Sequence, residues 1–141
     1  MAKLAYRPPV ERPVPVLRAV PALGPITHAV LRIGAGLLFF QHGLQKFGVI
    51  GGKAAVPLAS QMGVAGVLEL VGGLLIVLGL FTRPVAVVLA AEMLIAYLMA
   101  HAPRGALPIA NGGEVALLFA LIFVFLAGNG PGAAAIDTHR R

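Results

Sequence analysis

Residues 63–101, GVAGVLELVGGLLIVLGLFTRPVAVVLAAEMLIAYLMAH, decide the fold of this chain. They contain two apolar blocks, each close to the roughly 20 residues that a helix needs to cross the hydrocarbon layer of a bilayer. The joint between the blocks is Thr82, Arg83 and Pro84. Proline fits the first turn of a helix and arginine suits the headgroup region, so the joint predicts a tight turn between two spanning helices.

Two further apolar blocks flank this pair. One follows Pro25, and the other follows Asn111 and ends before the glycine-rich residues 128–132. The sequence therefore predicts an all-α integral membrane four-helix bundle over residues 26–128. We expect its helices at about 26–48, 63–81, 84–101 and 112–128.

The composition excludes several classes of protein. Of the 141 residues, 59% are hydrophobic and 11% are charged, whereas about a quarter are charged in an ordinary soluble domain. The net charge of +6 comes largely from basic residues beside the apolar blocks, which indicates membrane orientation and no nucleic-acid partner. With no cysteine, the chain has no disulfide, no covalent haem and no thiolate metal site, and we predict no metal site of any kind.

Charge also predicts the topology. Residues 1–25 hold six prolines and four basic residues, which we interpret as a proline-rich basic cytoplasmic tail, with residues 129–141 as a second cytoplasmic tail. On the side shared by both tails and the 82–83 turn lie seven Lys and Arg residues, against two or three on the other side. The positive-inside bias then places both termini of this multi-pass protein in the cytoplasm.

Ionisable residues inside the predicted spans mark the candidate site, since each costs about 2.5–3.5 kcal/mol at the centre of a helix. Counted along the helical rise, four of them reach overlapping depths below the outer surface: His42, Lys46, Glu69 and Glu92. We predict a polar pocket that opens on the outer face, where two bases oppose two carboxylates.

Within this pocket we assign roles by residue type. Glu69, Glu92 and His42 are the catalytic candidates, because carboxylates and imidazoles move protons. The predicted ligand-binding set adds Arg32, Lys46, Asn111 and Glu114 to these three.

Structural alternatives remain open for most of these residues. Arg32 and Lys46 could be interface anchors, and Glu114 could cap a helix. Glu69 could form an ion pair with Lys46 or Arg32 that has no other role.

A series of motifs resembles the DoxX family of small bacterial membrane proteins. They are Arg32, HGLQK at 42–46, ELVGGLLIVLGLFTRP at 69–84, Glu92, NGGE at 111–114, and GPG at 130–132 with Asp137. The resemblance implies a four-helix bundle in the bacterial cytoplasmic (inner) membrane. It also implies association with thiosulfate:quinone oxidoreductases or with other membrane redox and detoxification complexes.

Our first hypothesis is a membrane subunit of a quinone-linked oxidoreductase or redox and detoxification complex, with quinone as its cofactor. Its partners would be the lipid bilayer, a soluble redox enzyme and further copies of the chain in a homo-oligomer. A transport or binding module for a small molecule or anion is the first alternative. A membrane anchor that recruits soluble enzymes through its basic tail is the second. Whether the chain has catalytic activity of its own stays open.

Overall fold

Helices joined by short loops make up the part of the chain that the computed structural model describes, which is residues 15–140, with side chains over 23–138. Residues 15–140 contain no strand, and the predicted all-α class is confirmed. Most of the predicted N-terminal tail, residues 1–14, lies outside the described residues. The helices are α1 (Pro15–Lys46), α2 (Gln61–Leu78), α3 (Thr82–Ala96), α4 (Pro108–Asn111) and α5 (Glu114–Asn129).

Three helical segments are long and apolar enough to cross a membrane: Leu23–Lys46, Gln61–Leu78 and Thr82–Arg104. The third includes a π-helical turn at Tyr97–His101 and a 3-10 turn at Ala102–Arg104, which extend α3. Helix α5 is equally apolar but has 16 residues, so at about 1.5 Å per residue it is about 24 Å long. The bundle is thus a multi-pass membrane fold, and its last long helix, α5, is shorter than the thickness of the hydrocarbon layer.

The first helix begins earlier than the sequence predicted. We expected a start near Ile26, after a tail rich in proline, but α1 begins at Pro15 and continues through Pro21 and Pro25. Pro15 lies in the first turn, where its missing amide is not needed. Each of the later prolines removes one hydrogen bond of the helix without ending it.

Glycines bring α1 and α2 into direct backbone contact. Gly36 and Gly43 on α1 face Gly73 and Gly66 on α2, and both pairs are spaced by seven residues. A Cβ atom at Gly73 would lie 2.9 Å from the Gly36 carbonyl oxygen, and one at Gly43 would lie 2.8 Å from that of Gly66. Small residues allow such close approach between helices in lipid.

The bundle is built from two tight helix pairs. Helix α1 packs along α2, and α3 packs along α5, whereas α1 and α5 touch sparsely. The core lies between the pairs, where the ring of Phe39 meets those of Phe123 and Phe119 at centroid distances of 4.8 and 5.2 Å. The sparse α1–α5 contact leaves a groove along one side of the bundle.

The two ends of the bundle differ. At the proximal end, which we define by the α2–α3 turn and the segment after α5, Gly79 closes α2 in a left-handed conformation with φ 65°. The distal end carries the α1–α2 loop and the α3–α5 connection. There Ser60 caps α2 by accepting a hydrogen bond of 3.0 Å from the Gly63 amide, as serine commonly does at this position.

Asp137 caps α3 from outside the helix. Its carboxylate accepts hydrogen bonds from the Phe81 and Thr82 amides, both at 2.9 Å. The residue before the helix is Phe81, which has a left-handed conformation with φ 51° and forms no side-chain cap. The segment after α5 therefore packs against the bundle, and its Ala135 is buried.

Candidate functional site

An ion pair between Lys46 and Glu69 forms the centre of the candidate site. The Lys46 Nζ donates to both Glu69 carboxylate oxygens at 2.6 Å. The side chain of Glu69 is 4% exposed and that of Lys46 is 21% exposed. Gly66 leaves room for this contact, since a Cβ there would lie 3.3 Å from the Lys46 Cβ. The glycine packing of α1 on α2 thus places the two charges together.

Glu92 adds a second carboxyl group from α3. It lies within electrostatic range of both Glu69 and Lys46. Both of its carboxyl oxygens are buried and have no hydrogen-bond partner within the described part of the chain. A buried polar group without a partner is costly, so Glu92 has unused capacity for a proton or a ligand.

His42 lies at the edge of this cluster and faces outward. Its ring is exposed and packs edge-on against Phe119, with centroids 5.8 Å apart. It remains within electrostatic range of Glu69. His42 lines a hollow of about 300 Å³ between α1 and α5, together with Gln41 and Gln45.

The structure brings four of the predicted residues to one region of the distal end: His42, Lys46, Glu69 and Glu92. Gln41 and Gln45 were not among the predicted residues. The signal for them was in the sequence, because two amides four residues apart on a spanning helix share a face and flank His42.

Asn111 makes contacts that organise the loop at the distal end. It is 3% exposed, donates to the Gly105 carbonyl at 2.8 Å and accepts from the Gly113 amide at 2.8 Å. Its carbonyl oxygen lies 3.2 Å from His101 Nδ1. Glu114 begins α5 and is exposed, with no side-chain hydrogen bond or ion pair to residues 23–138. Gly113 occupies the position before α5 and no side chain of the described residues caps this helix, so Glu114 lies in the first turn without forming a cap.

Arg32 lies far from the other predicted residues. It is 14 positions before Lys46 on α1, or about 21 Å along the helix. Its side chain is fully buried and donates to four main-chain carbonyl oxygens. Two of these end α2, Ile76 and Val77, and two belong to the segment after α5, Ala133 and Ala134. Its Nε has no partner within the described residues.

The family model for DoxX matches residues 27–102, just over half of the 141 residues. The chain belongs to the DoxX family. The matched part of this DoxX protein contains the cluster and Arg32 but ends before Asn111, Glu114 and α5. No solved structure matches the chain.

Two similar proteins extend the comparison over most of the chain. One, from Haemophilus influenzae, is named only as an uncharacterized protein. It is 46% identical over 117 residues, which cover 77% of this chain and 87% of the relative. The other, from Bacillus subtilis, is named "Putative oxidoreductase CatD". It is 34% identical over 113 residues, which cover 77% of this chain and 82% of the relative.

Proposed function

We propose that this DoxX protein is the membrane subunit of a quinone-linked oxidoreductase or redox and detoxification complex. In this proposal the Lys46–Glu69–Glu92 cluster exchanges protons with a quinone held at His42. The name of the Bacillus subtilis relative supports the oxidoreductase class. The single observation that carries the proposal is the buried Glu92 carboxyl group, which lacks a hydrogen-bond partner among the described residues beside a buried ion pair.

The reaction needs two electrons and two protons for each quinone that is reduced to quinol. A reduced soluble enzyme supplies the electrons, and the protons reach the two quinone oxygens from the cluster. Such a proton path requires a row of neighbouring ionisable groups that leads from the interior of the bundle to the ligand. The side chains of Glu92, Glu69 and His42 supply this row, since each lies within electrostatic range of the next.

The groups around His42 fit a quinone head. The two carbonyl oxygens of the head accept hydrogen bonds, and side-chain amides and imidazole are suitable donors. Gln41, His42 and Gln45 present these groups beside Phe119 and Val115, which supply apolar walls.

We also propose the setting of this activity. The excess of Lys and Arg on the side of the two termini supports a bacterial cytoplasmic membrane protein with both termini in the cytoplasm. The cluster then opens toward the opposite side. Electron delivery requires a soluble redox partner. The short α5 supports a homo-oligomer, because a helix shorter than the hydrocarbon layer can be accommodated by packing against a neighbouring copy of the chain.

The test begins with the full chain purified in a mild detergent. We expect a membrane quinone to copurify, and the wild type to support quinone reduction with its electron-donating partner. Glu92→Gln should abolish turnover, and Glu92→Asp should restore part of it by returning a carboxyl group.

Lys53→Met is a control, because Lys53 is exposed in the α1–α2 loop, and it should match the wild type. If no quinone copurifies and no quinone binds to the wild type, the proposal fails. Counterflow of a small anion in liposomes without an electron acceptor would favour the transport alternative. Full activity of Glu92→Gln, with loss of partner recruitment on removal of residues 1–14, would favour the anchor alternative.

A further inference from the structure

Two hollows run along the sparse contact between α1 and α5. The first is about 260 Å³, and the described residues that line it are all apolar, among them Val30, Gly34 and Ile122. The second, about 300 Å³, contains Gln41, His42 and Gln45. Both are lined by Leu38 and Phe119, so they lie side by side along α1. We call them together the α1–α5 groove.

The groove is long and has two chemically different parts. From Val30 to Gln45 it follows 15 residues of α1, or about 22 Å at the helical rise. Its proximal part is apolar, and its distal part carries all of the polar groups. This arrangement matches a molecule with a polar head and one long apolar chain.

The polar part of the groove has few hydrogen-bond partners among the described residues. Neither His42 nor Gln45 makes a side-chain hydrogen bond to any residue the structure describes, and Gln41 donates only a long bond of 3.4 Å to the Leu37 carbonyl. All three lie on a membrane-spanning segment, where unpaired polar groups are costly. A ligand head that accepts hydrogen bonds would remove this cost.

Charge decides which kind of head the groove accepts. Among residues 23–138, no lysine, arginine or acidic residue lines either hollow, and the nearby Lys46 is already paired with Glu69. A phospholipid phosphate would therefore find no cation, whereas a neutral carbonyl head finds three sets of donors.

We propose that the α1–α5 groove admits a long-chain membrane quinone sideways from the bilayer. Its head is bound by Gln41, His42 and Gln45, and its chain lies in the apolar part beside Gly34. This inference rests on the proposed function and adds to it the position of the apolar chain, entry from the bilayer and a preference for a long chain. The groove opens to lipid, so the ligand need not cross water.

Gly34 provides the test, because a Cβ there would have no atom within 4 Å. Gly34→Leu should fold normally and fill the chain region. Gly24→Leu is its control, since Gly24 is also on α1 with nothing within 4 Å and does not line the groove. The probes are menaquinone-4 and menadione, which share a naphthoquinone head but differ in the chain.

In detergent, the wild type should bind menaquinone-4 at least ten times more tightly than menadione. Gly34→Leu should lose most of this preference and keep its affinity for menadione, while Gly24→Leu should match the wild type. Gln45→Leu should weaken both quinones and keep the ratio. Gel filtration should show the same elution volume for all variants.

The outcomes separate this inference from the proposed function. If Gly34→Leu binds menaquinone-4 like the wild type, the groove does not hold the chain, and the proposed function stands. If the wild type binds neither quinone, both fail. Mass spectrometry that finds a phospholipid retained by the wild type and lost from Gly34→Leu would assign the groove to lipid and overturn the inference.

Discussion

Lys46 has two carboxyl groups nearby, and this predicts how the cluster responds when one is removed. It is bonded to Glu69 at 2.6 Å, and Glu92 lies within electrostatic range with both oxygens unbonded among the described residues. Glu69→Gln removes the present partner of Lys46. We expect Lys46 then to turn toward Glu92. Either glutamate can therefore pair with Lys46 when the other is removed, and each single substitution should have a small effect on stability.

The magnitudes follow from this exchange. Removing one member of a buried ion pair costs about 3–5 kcal/mol when the remaining charge has no other partner. With Glu92 as substitute partner, Glu69→Gln should lower the free energy of unfolding by only about 1–2 kcal/mol, and Glu92→Gln by less than about 0.5 kcal/mol. The double variant leaves Lys46 without either carboxyl group and should lose about 3–5 kcal/mol. The coupling between the two sites is then about 1–3 kcal/mol.

A double-mutant cycle measures this coupling. The free energies of unfolding of the wild type, both single variants and the double variant come from SDS titration in mixed micelles, followed by circular dichroism. In a Lys46→Met background the coupling should vanish, because the shared partner is gone. If the effects of Glu69→Gln and Glu92→Gln add to within about 0.5 kcal/mol, Lys46 does not move between the two carboxyl groups and the reasoning is wrong.

Three further predictions use the same titration. Gly73→Ala should lower the free energy of unfolding by about 1–3 kcal/mol, because its Cβ would meet main-chain atoms of α1 that cannot move aside; Gly24→Ala should cause no such loss. Arg32→Lys should cost about 2–3 kcal/mol, since an ammonium group cannot reach the same four carbonyls as the planar guanidinium, and an unchanged stability would contradict this. Asp137→Ala should cost about 1–2 kcal/mol by uncapping α3, and hydrogen exchange at the Thr82 amide should become faster; an unchanged exchange rate would show that the cap is not needed.

The sequence predicts how deep each site residue lies in the membrane, but it does not predict the direction in which each side chain points. Helical rise alone places His42, Lys46, Glu69 and Glu92 at similar depths, and the structure brings these residues to one end of the bundle. The direction in which each side chain points depends on helix packing. Gly43 turns its own face of α1 toward α2, which leaves the neighbouring His42 exposed in the groove.

The proximal end shows a different limit of the sequence. Arg32 bonds carbonyls that are 44 to 102 residues away in the chain, and no local pattern can show such partners. The same applies to Asp137, which caps a helix that begins 55 residues earlier. Hydrophobic blocks predict the membrane-spanning helices. They do not predict the contacts between distant segments that hold the proximal end of the bundle together, because these contacts exist only in the folded chain.

The distribution of unmet polar groups has a consequence for the mechanism. At the proximal end, Arg32 and Asp137 bond to main-chain groups, and Arg83 does the same by donating to the Ala127 and Gly128 carbonyls at the end of α5. At the distal end, Glu92 and His42 keep unused hydrogen-bonding capacity among the described residues. In the described part of the chain, the buried unpartnered atoms at the proximal end are Arg32 Nε and Thr82 Oγ1, which belong to groups that exchange protons less readily than a carboxyl group or an imidazole. The groups suited to proton transfer are therefore concentrated at the distal end, and in the proposed function they would exchange protons with the distal surface by the shorter path. In the proposed topology, which places both termini in the cytoplasm, quinone reduction would take its protons from the opposite side of the membrane. In oriented vesicles, reduction should then make the non-cytoplasmic compartment more alkaline, and alkalinisation of the cytoplasmic compartment would place the proton path through the proximal end instead.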